Sequence, residues 1–218
     1  MRAIVPAYNE EITIAGVVRP LLDAGIFEDV VVVDDGSTDR TAQVAADAGA
    51  RVLQPPRNLG KGGAMLFGVT NACEGDEVVA FFDADLYGLR PEHAHRLAEG
   101  IAKGYDQVCG LRDWGPVQNV IQLGYGPVVT GERMVRRWVL DALPMDCWDG
   151  YVIETAMNDV VTRHDGRTAI VFFPGVTLRT KLHKSGFWNG IAGHWKMTRE
   201  IMATRDALRT SRGASCRR

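Results

Sequence analysis

The chain has 218 residues, 46% hydrophobic and 24% charged, with a formal net charge of −2. That length suits one sizeable soluble domain and is short for two, and no run of roughly 18 apolar residues exists to make a membrane-spanning helix. Cys73, Cys109, Cys147 and Cys216 are scattered without a Cys-x-x-Cys pair, so neither a disulfide framework nor a zinc knuckle is suggested.

The start moves directly into strand-like sequence, which leaves no room for a signal peptide; a cytoplasmic, reduced protein is expected. Residues 3–6 read as a first strand that ends in Ala7-Tyr8-Asn9-Glu10-Glu11. A helix is predicted next, with Ile14, Val17, Val18, Leu21 and Leu22 at helical spacing. The unbroken Val30-Val31-Val32-Val33 run predicts a buried strand, and Asp34-Asp35-Gly36-Ser37-Thr38-Asp39 follows at its end. Ser37 to Thr41 offer N-caps for a helix to about Ala48. Residues 51–53 read as a third strand, followed by the glycine-rich turn Arg57-Asn58-Leu59-Gly60-Lys61-Gly62-Gly63-Ala64, which opens a helix through about Cys73. Neither G-x-x-x-x-G-K-[ST] nor G-x-G-x-x-G spacing is present, so a nucleotide-hydrolysing loop and a dinucleotide fingerprint are both unsupported. Lys61 at a helix N-terminus still suits an anion.

The pattern centres on Val78-Val79-Ala80-Phe81-Phe82-Asp83-Ala84-Asp85-Leu86. Its uncharged first half predicts a strand buried on both faces. In an extended chain, residues two apart point the same way, which would turn Asp83 and Asp85 toward one site. Two close carboxylates repel unless something positive lies between them, and Mg²⁺ or Mn²⁺ bound to phosphate oxygens answers that need. A helix from Pro91 and a strand over 107–110 follow. Strands alternating with helices predict an α/β fold with a mostly parallel sheet, in which ligands bind beyond the C-terminal strand ends. Tyr8 to Glu10, Asp34-Asp35 and Asp83/Asp85 all fall there.

Taken together, Val5-Pro6-Ala7-Tyr8-Asn9-Glu10, Val32-Val33-Asp34-Asp35-Gly36-Ser37-Thr38-Asp39, Asn58-Leu59-Gly60-Lys61-Gly62 and Phe82-Asp83-Ala84-Asp85 resemble the nucleotide-diphosphosugar glycosyltransferases of family 2 and the related GT-A fold. The resemblance covers roughly the first 90 residues, in the family's order. It implies that Pro6, Tyr8 and Glu10 line the nucleobase and ribose pocket and that Asp35 contacts base or ribose. Lys61 would lie by the nucleotide, Asp83 would hold the ribose or metal, and Asp85 would bind the metal that bridges the diphosphate.

The second half is similar to polyprenyl-phosphate sugar synthases and glucosyl-phosphoglycerate synthases in Cys109-Gly110-Leu111-Arg112, in Thr130-Gly131-Glu132-Arg133 and in Asp149-Gly150-Tyr151-Val152-Ile153-Glu154. By that likeness Arg112 grips an acceptor phosphate, Gly131 and Glu132 approach the donor sugar, and Glu154 lies near the reacting centre. Asp149 or Glu154 could serve as general base for an alcohol acceptor, whereas a phosphate acceptor needs none. His183, which follows an expected strand pair over 169–173 and 176–178, is the candidate for a late metal ligand, with His194 behind it. His93 and His95 point to different helix faces and make a poor metal pair, and His164 sits at a helix end.

A last helix over about 187–208 places Trp188, Ile191, Trp195 and Met202 near one side with basic residues between. It reads either as core packing or as an interfacial helix touching a membrane. The expectation is one GT-A domain over 1–208, with a nucleotide-sugar half (1–110), an acceptor half (111–208) and a disordered basic tail (209–218). Its partners would be a nucleotide diphosphosugar and a phosphorylated acceptor, lipid-linked or small; no nucleic acid is expected, and a homodimer is compatible with the fold. A sugar-nucleotide pyrophosphorylase and a non-catalytic nucleotide-sugar-binding module are the rival readings. The base, the sugar, the acceptor and the stereochemical outcome stay open.

Overall fold

Two apolar runs make the middle of the sheet, because neither carries a polar residue before its last position that would need water on either face. They are Val30–Asp34 (β2), buried along its whole length, and Val78–Phe81 (β4). The computed structural model describes residues 1–113, 115, 119, 130–148 and 153–178. Arg2–Ala7 (β1) lies between those two strands and runs parallel to both, and Arg51–Leu53 (β3) extends the sheet beyond β2. Gln107–Arg112 (β6) and Thr168–Phe173 (β8) form a second parallel pair. Arg133–Arg136 (β7) joins the two groups, antiparallel to both β4 and β6. The resulting seven-stranded order is β3-β2-β1-β4-β7-β6-β8. A mostly parallel α/β sheet is therefore what folds.

Side-chain alternation along the strands splits the core into two layers. Ala3, Val5, Val30, Val32 and Phe82 pack with Ile14–Asp23 (α1) and Pro91–Ala102 (α4). Ile4, Val31, Val33, Val79 and Phe81 face Gly60–Ala72 (α3), Arg137–Asp141 (α5) and Ile153–Arg163 (α6). Thr41–Asp47 (α2) links β2 to β3, and Met145–Trp148 is a 3₁₀ turn. Helix α3 comes close to the sheet because residue 68 is glycine: a Cβ there would stand 2.8 Å from Ile4 Cγ2 and 2.9 Å from Val33 Cγ2. The close approach fixes where the first turn of α3 lies against the strand ends.

Two expectations are corrected. Strand β4 ends at Phe81 and the chain turns at Ala84-Asp85, so Asp83 and Asp85 are not neighbours on one face of an extended strand. The strand segments around 169–173 and 176–178 do not pair with each other. Instead β8 completes the main sheet, and Thr177–Leu178 (β9) pairs antiparallel with Leu86–Tyr87 (β5), immediately after Asp85. Their separation follows from the turn at Pro174-Gly175, which carries the chain off the main sheet.

Candidate active site

The C-terminal ends of β1, β2 and β4 open on one side, and the switch in strand order on either side of β1 leaves a crevice there. Its walls are tied together by backbone and side-chain hydrogen bonds. Asn9, in the left-handed region at φ 57°, donates its N–H to Ser37 Oγ at 2.9 Å and accepts from Thr38 N–H at 2.8 Å. Glu10 N–H donates to Thr41 Oγ1 at 2.7 Å, and the Glu10 carboxylate accepts from Thr13 Oγ1 at 3.2 Å. The loop after β1 is thereby held against the loop after β2, while Tyr8 stays half exposed at the rim.

Asp35 is buried, and both its oxygens are engaged by the glycine-rich turn. Leu59 N–H reaches Oδ1 at 2.7 Å and Gly60 N–H reaches Oδ2 at 2.8 Å. Burial raises the Asp35 carboxyl above its ordinary value, against the two amides that favour the charged form. A residue at the end of β2 thus caps helix α3, whose own N-cap Leu59 gives no side-chain bond.

The cap aims the next residue, Lys61, into the crevice. Its ammonium lies 2.7 Å from Asp83 Oδ1 and 2.6 Å from Glu154 Oε1, joining β4, α3 and α6 at one point. Burial works against the charge, but the two carboxylates outweigh it and hold Lys61 protonated, with its pKa raised. Glu154 is buried in the first turn of α6, where a carboxylate also suits the helix dipole. Gly131 leaves the space that Asp83 fills: a Cβ on residue 131 would stand inside the Asp83 carboxylate.

Two further acids face this cluster. The Asp85 carboxyl is pushed up to about 6, by burial first and by Asp83 second, with Lys61 and Arg112 opposing. Glu132 is 1% exposed and is raised by burial, then by Asp83. Thr130 Oγ1 touches Glu132 Oε2 and lies 2.8 Å from Gly110 O. One hydroxyl hydrogen cannot serve both acceptors, so a protonated Glu132 donating to Thr130, which in turn donates to Gly110, satisfies the chain. Among the described residues Glu132 Oε1 has no hydrogen-bond partner although it is buried. Arg112, at the end of β6, lends positive potential to both Asp85 and Glu132.

The predicted residues Lys61, Asp83, Gly131 and Glu154 therefore meet, and Asp85, Glu132 and Arg112 share their field. Pro6, Tyr8, Glu10 and Asp35 form the adjoining wall. Asp149, His183, His194, the last helix and the basic tail lie outside the described residues. Arg133 is a residue that sequence reasoning missed. Its fully buried guanidinium donates to Thr130 O at 2.6 Å, to Gln107 Oε1 at 3.1 Å and to Glu154 O at 3.2 Å. It fixes Gly131 and Glu154 from behind; the only hint in the sequence is a charge next to Gly131-Glu132.

Carboxylate and phosphate oxygens are what Mg²⁺ or Mn²⁺ prefer, and such ions keep few protein ligands. Asp83, Asp85 and the unpartnered Glu132 oxygen fit that chemistry. Among the described residues no group of three acidic, histidine or cysteine side chains is arranged to hold a metal ion alone, so the remaining ligands would come from a bound phosphate and water.

Comparison with known proteins agrees with this geometry. A family model described as glycosyl transferase family 2 matches residues 3–123. A 4,4'-diaponeurosporenoate glycosyltransferase of Staphylococcus aureus (strain USA300) is 38% identical over 99 residues, which is 43% of this chain and 26% of that protein. The chain thus spans about a quarter of that curated relative's length. Glucosyl-3-phosphoglycerate synthase of Mycobacterium tuberculosis, solved with Mn²⁺, UDP-glucose and phosphoglyceric acid, superposes with a TM-score of 0.76 at 25% identity, covering 95% of this chain and 78% of that one. The same enzyme solved with Mg²⁺ and UDP gives a TM-score of 0.75 at 24% identity over the same shares, a likeness of fold.

Proposed function

The chain belongs to glycosyl transferase family 2, and from that premise we propose that it transfers a sugar from a nucleotide diphosphosugar to a phosphorylated acceptor with the help of Mg²⁺ or Mn²⁺. The observation that carries the reading is the convergence of Lys61, Asp83 and Glu154 beside Gly131, at the strand ends where the Tyr8–Glu10 and Asp35 loops also meet. The domain reads as a donor half over 1–110 and an acceptor half over 111–208.

In this reading Pro6, Tyr8 and Glu10 take the base and ribose, and Asp35 both shapes that pocket and fixes the turn that presents Lys61. Asp83 and Asp85 would hold the cation. When bound, it supplies a positive centre for the charge that develops on the departing diphosphate. Glu132 keeps Oε1 as an acceptor for a donor-sugar hydroxyl, because its other oxygen is used by Thr130. Arg112 meets the acceptor phosphate with its guanidinium fork. An attacking phosphate oxygen is already an anion and needs no base, while an attacking hydroxyl would be served by Glu154 or Asp149. The solved synthase binds UDP-glucose and a phosphorylated acid, which supports this donor and acceptor chemistry. A lipid-linked acceptor, membrane contact through the C-terminal helix and dimerisation remain expectations of the sequence. Among the described residues no helix is long and apolar enough to cross a membrane.

A thermal-shift panel of UDP, GDP, dTDP and CDP, each with and without Mn²⁺, tests the proposal. A nucleotide at ~100 times its dissociation constant stabilises the fold by roughly 2.7 kcal/mol, a readable shift. The expected result is one preferred base, a shift that needs Mn²⁺, and its loss in Asp85→Ala. If no nucleotide moves the melt at millimolar concentration, the reading fails.

A further inference from the structure

We propose that Lys61 is a built-in counter-ion that keeps a divalent cation out of the carboxylate cluster until a nucleotide diphosphate arrives, so that metal and nucleotide enter as a pair. The inference rests on the reading of a nucleotide-diphosphate site and adds to it a rule for the order of loading.

The geometry is specific. Asp83, the residue that Gly131 makes room for, gives Oδ1 to the Lys61 ammonium at 2.7 Å. Glu154 Oε1 pins the same ammonium at 2.6 Å. A metal reaching Asp83 would stand within a few ångströms of that ammonium, and two such like charges repel strongly in a partly buried site. The cluster nevertheless carries more carboxylate than cation, because Asp85 faces it in addition to Asp83 and Glu154, against Lys61 and Arg112. Among the described residues the buried Glu132 Oε1 has no partner, an independent sign that a further ligand belongs there. A diphosphate removes the conflict. Its oxygens give Lys61 a new anionic partner, which frees Asp83, and at the same time they offer the hard ligands that the cation lacks among the described residues.

The test measures Mn²⁺ binding without nucleotide, by electron paramagnetic resonance of free Mn²⁺ and by calorimetry, on the wild type and on Lys61→Met. Lys61→Met leaves two carboxylates without their cation. Lys61→Met/Glu154→Gln, which removes one charge of each sign, is therefore the companion variant that preserves the balance of the buried site. An opposite charge at this range biases a carboxylate by roughly one to three decades. Both variants are expected to bind Mn²⁺ alone at least about tenfold more tightly than the wild type, and a further Asp83→Asn change should remove the gain. Mn²⁺ affinity that is unchanged or weaker in whichever variant folds overturns the proposal. UDP with Mn²⁺ on the wild type reads the parent proposal separately. Tighter Mn²⁺ binding in the variants without any UDP response would uphold the counter-ion and reject the nucleotide-sugar reading. A UDP response without tighter Mn²⁺ binding would do the opposite.

Discussion

Gly131 determines whether Asp83 can stand where it does, because the carboxylate occupies the volume of a missing side chain. A methyl group there must displace either Asp83 or the backbone before β7, and the Lys61 contact moves with it. Gly131→Ala should therefore keep its melting temperature within a few degrees yet lose nucleotide-sugar turnover by ~100-fold or more, the usual penalty for a displacement near 1 Å at a reacting centre. Steady-state assays with the donor selected by the thermal-shift panel would check this. Turnover within a few fold of wild type would mean that Asp83 need not stay in this position. Lys61 and Asp83 were legible as separate polar signals at separate strand ends. Their partner Glu154, 93 residues from Lys61, was reached only by resemblance. Arg133 is visible in the sequence only as part of the Thr130–Arg133 motif and carries no role there: nothing local marks an arginine whose fork is used up on the Thr130 carbonyl and on oxygens of remote Gln107 and Glu154.

Helix α3 shows how an element can depend on a residue outside it. Its first amides are capped by Asp35 from the end of β2 rather than by its own N-cap. Removing a side-chain cap costs typically about 1 kcal/mol, and the burial that raises the Asp35 carboxyl offsets part of what the cap contributes. Asp35→Ala is expected to lower stability by about 1 kcal/mol in urea unfolding and to loosen the first turn of α3, seen as faster amide exchange at Leu59 and Gly60. Unchanged exchange there would remove Asp35 from this role. Of the elements, the valine runs of β2 and β4 were readable because burial on both faces leaves an uninterrupted apolar string. Strand β7 was not, since four residues, Arg133 to Arg136, show only two apolar side chains between arginines. Its identity as a strand comes from the edges of β4 and β6, which are remote in sequence. The turn at Ala84-Asp85 was ambiguous, because aspartates at a strand end suit a polar turn as well as a pair of ligands on one extended face.

Across the molecule, α4 is joined to the β8–β9 turn through one neutral histidine. His93 is buried, stacks on Phe173 with ring centroids 4.7 Å apart, and accepts the Arg90 N–H on Nδ1 at 3.0 Å. Burial lowers its pKa, helped by Arg96 and Arg90 and opposed by a bond to Pro174 and by Glu92. The unfolded chain then takes up a proton that the folded form refuses, so this contribution to stability is complete above the ordinary histidine value near 6.5 and is lost as pH falls through the lowered one. Melting temperature should fall between pH 7 and pH 5, and His93→Gln should fall less steeply over the same range; parallel slopes would show that His93 does not titrate there. A different consequence follows from the place of β7. The first 112 residues supply β1 to β6, yet β4 and β6 do not pair with each other, and β7 is the strand that bridges them. A growing chain that has reached the end of β6 carries three unsatisfied strand edges, one on β4 and both on β6, each a template for pairing with another copy. The half of the chain that bears the family signature is thus not a self-sufficient folding unit. Its assembly waits for a later segment to arrive and close it, so a severed N-terminal half should be insoluble alone and recover its sheet only when the second half is supplied.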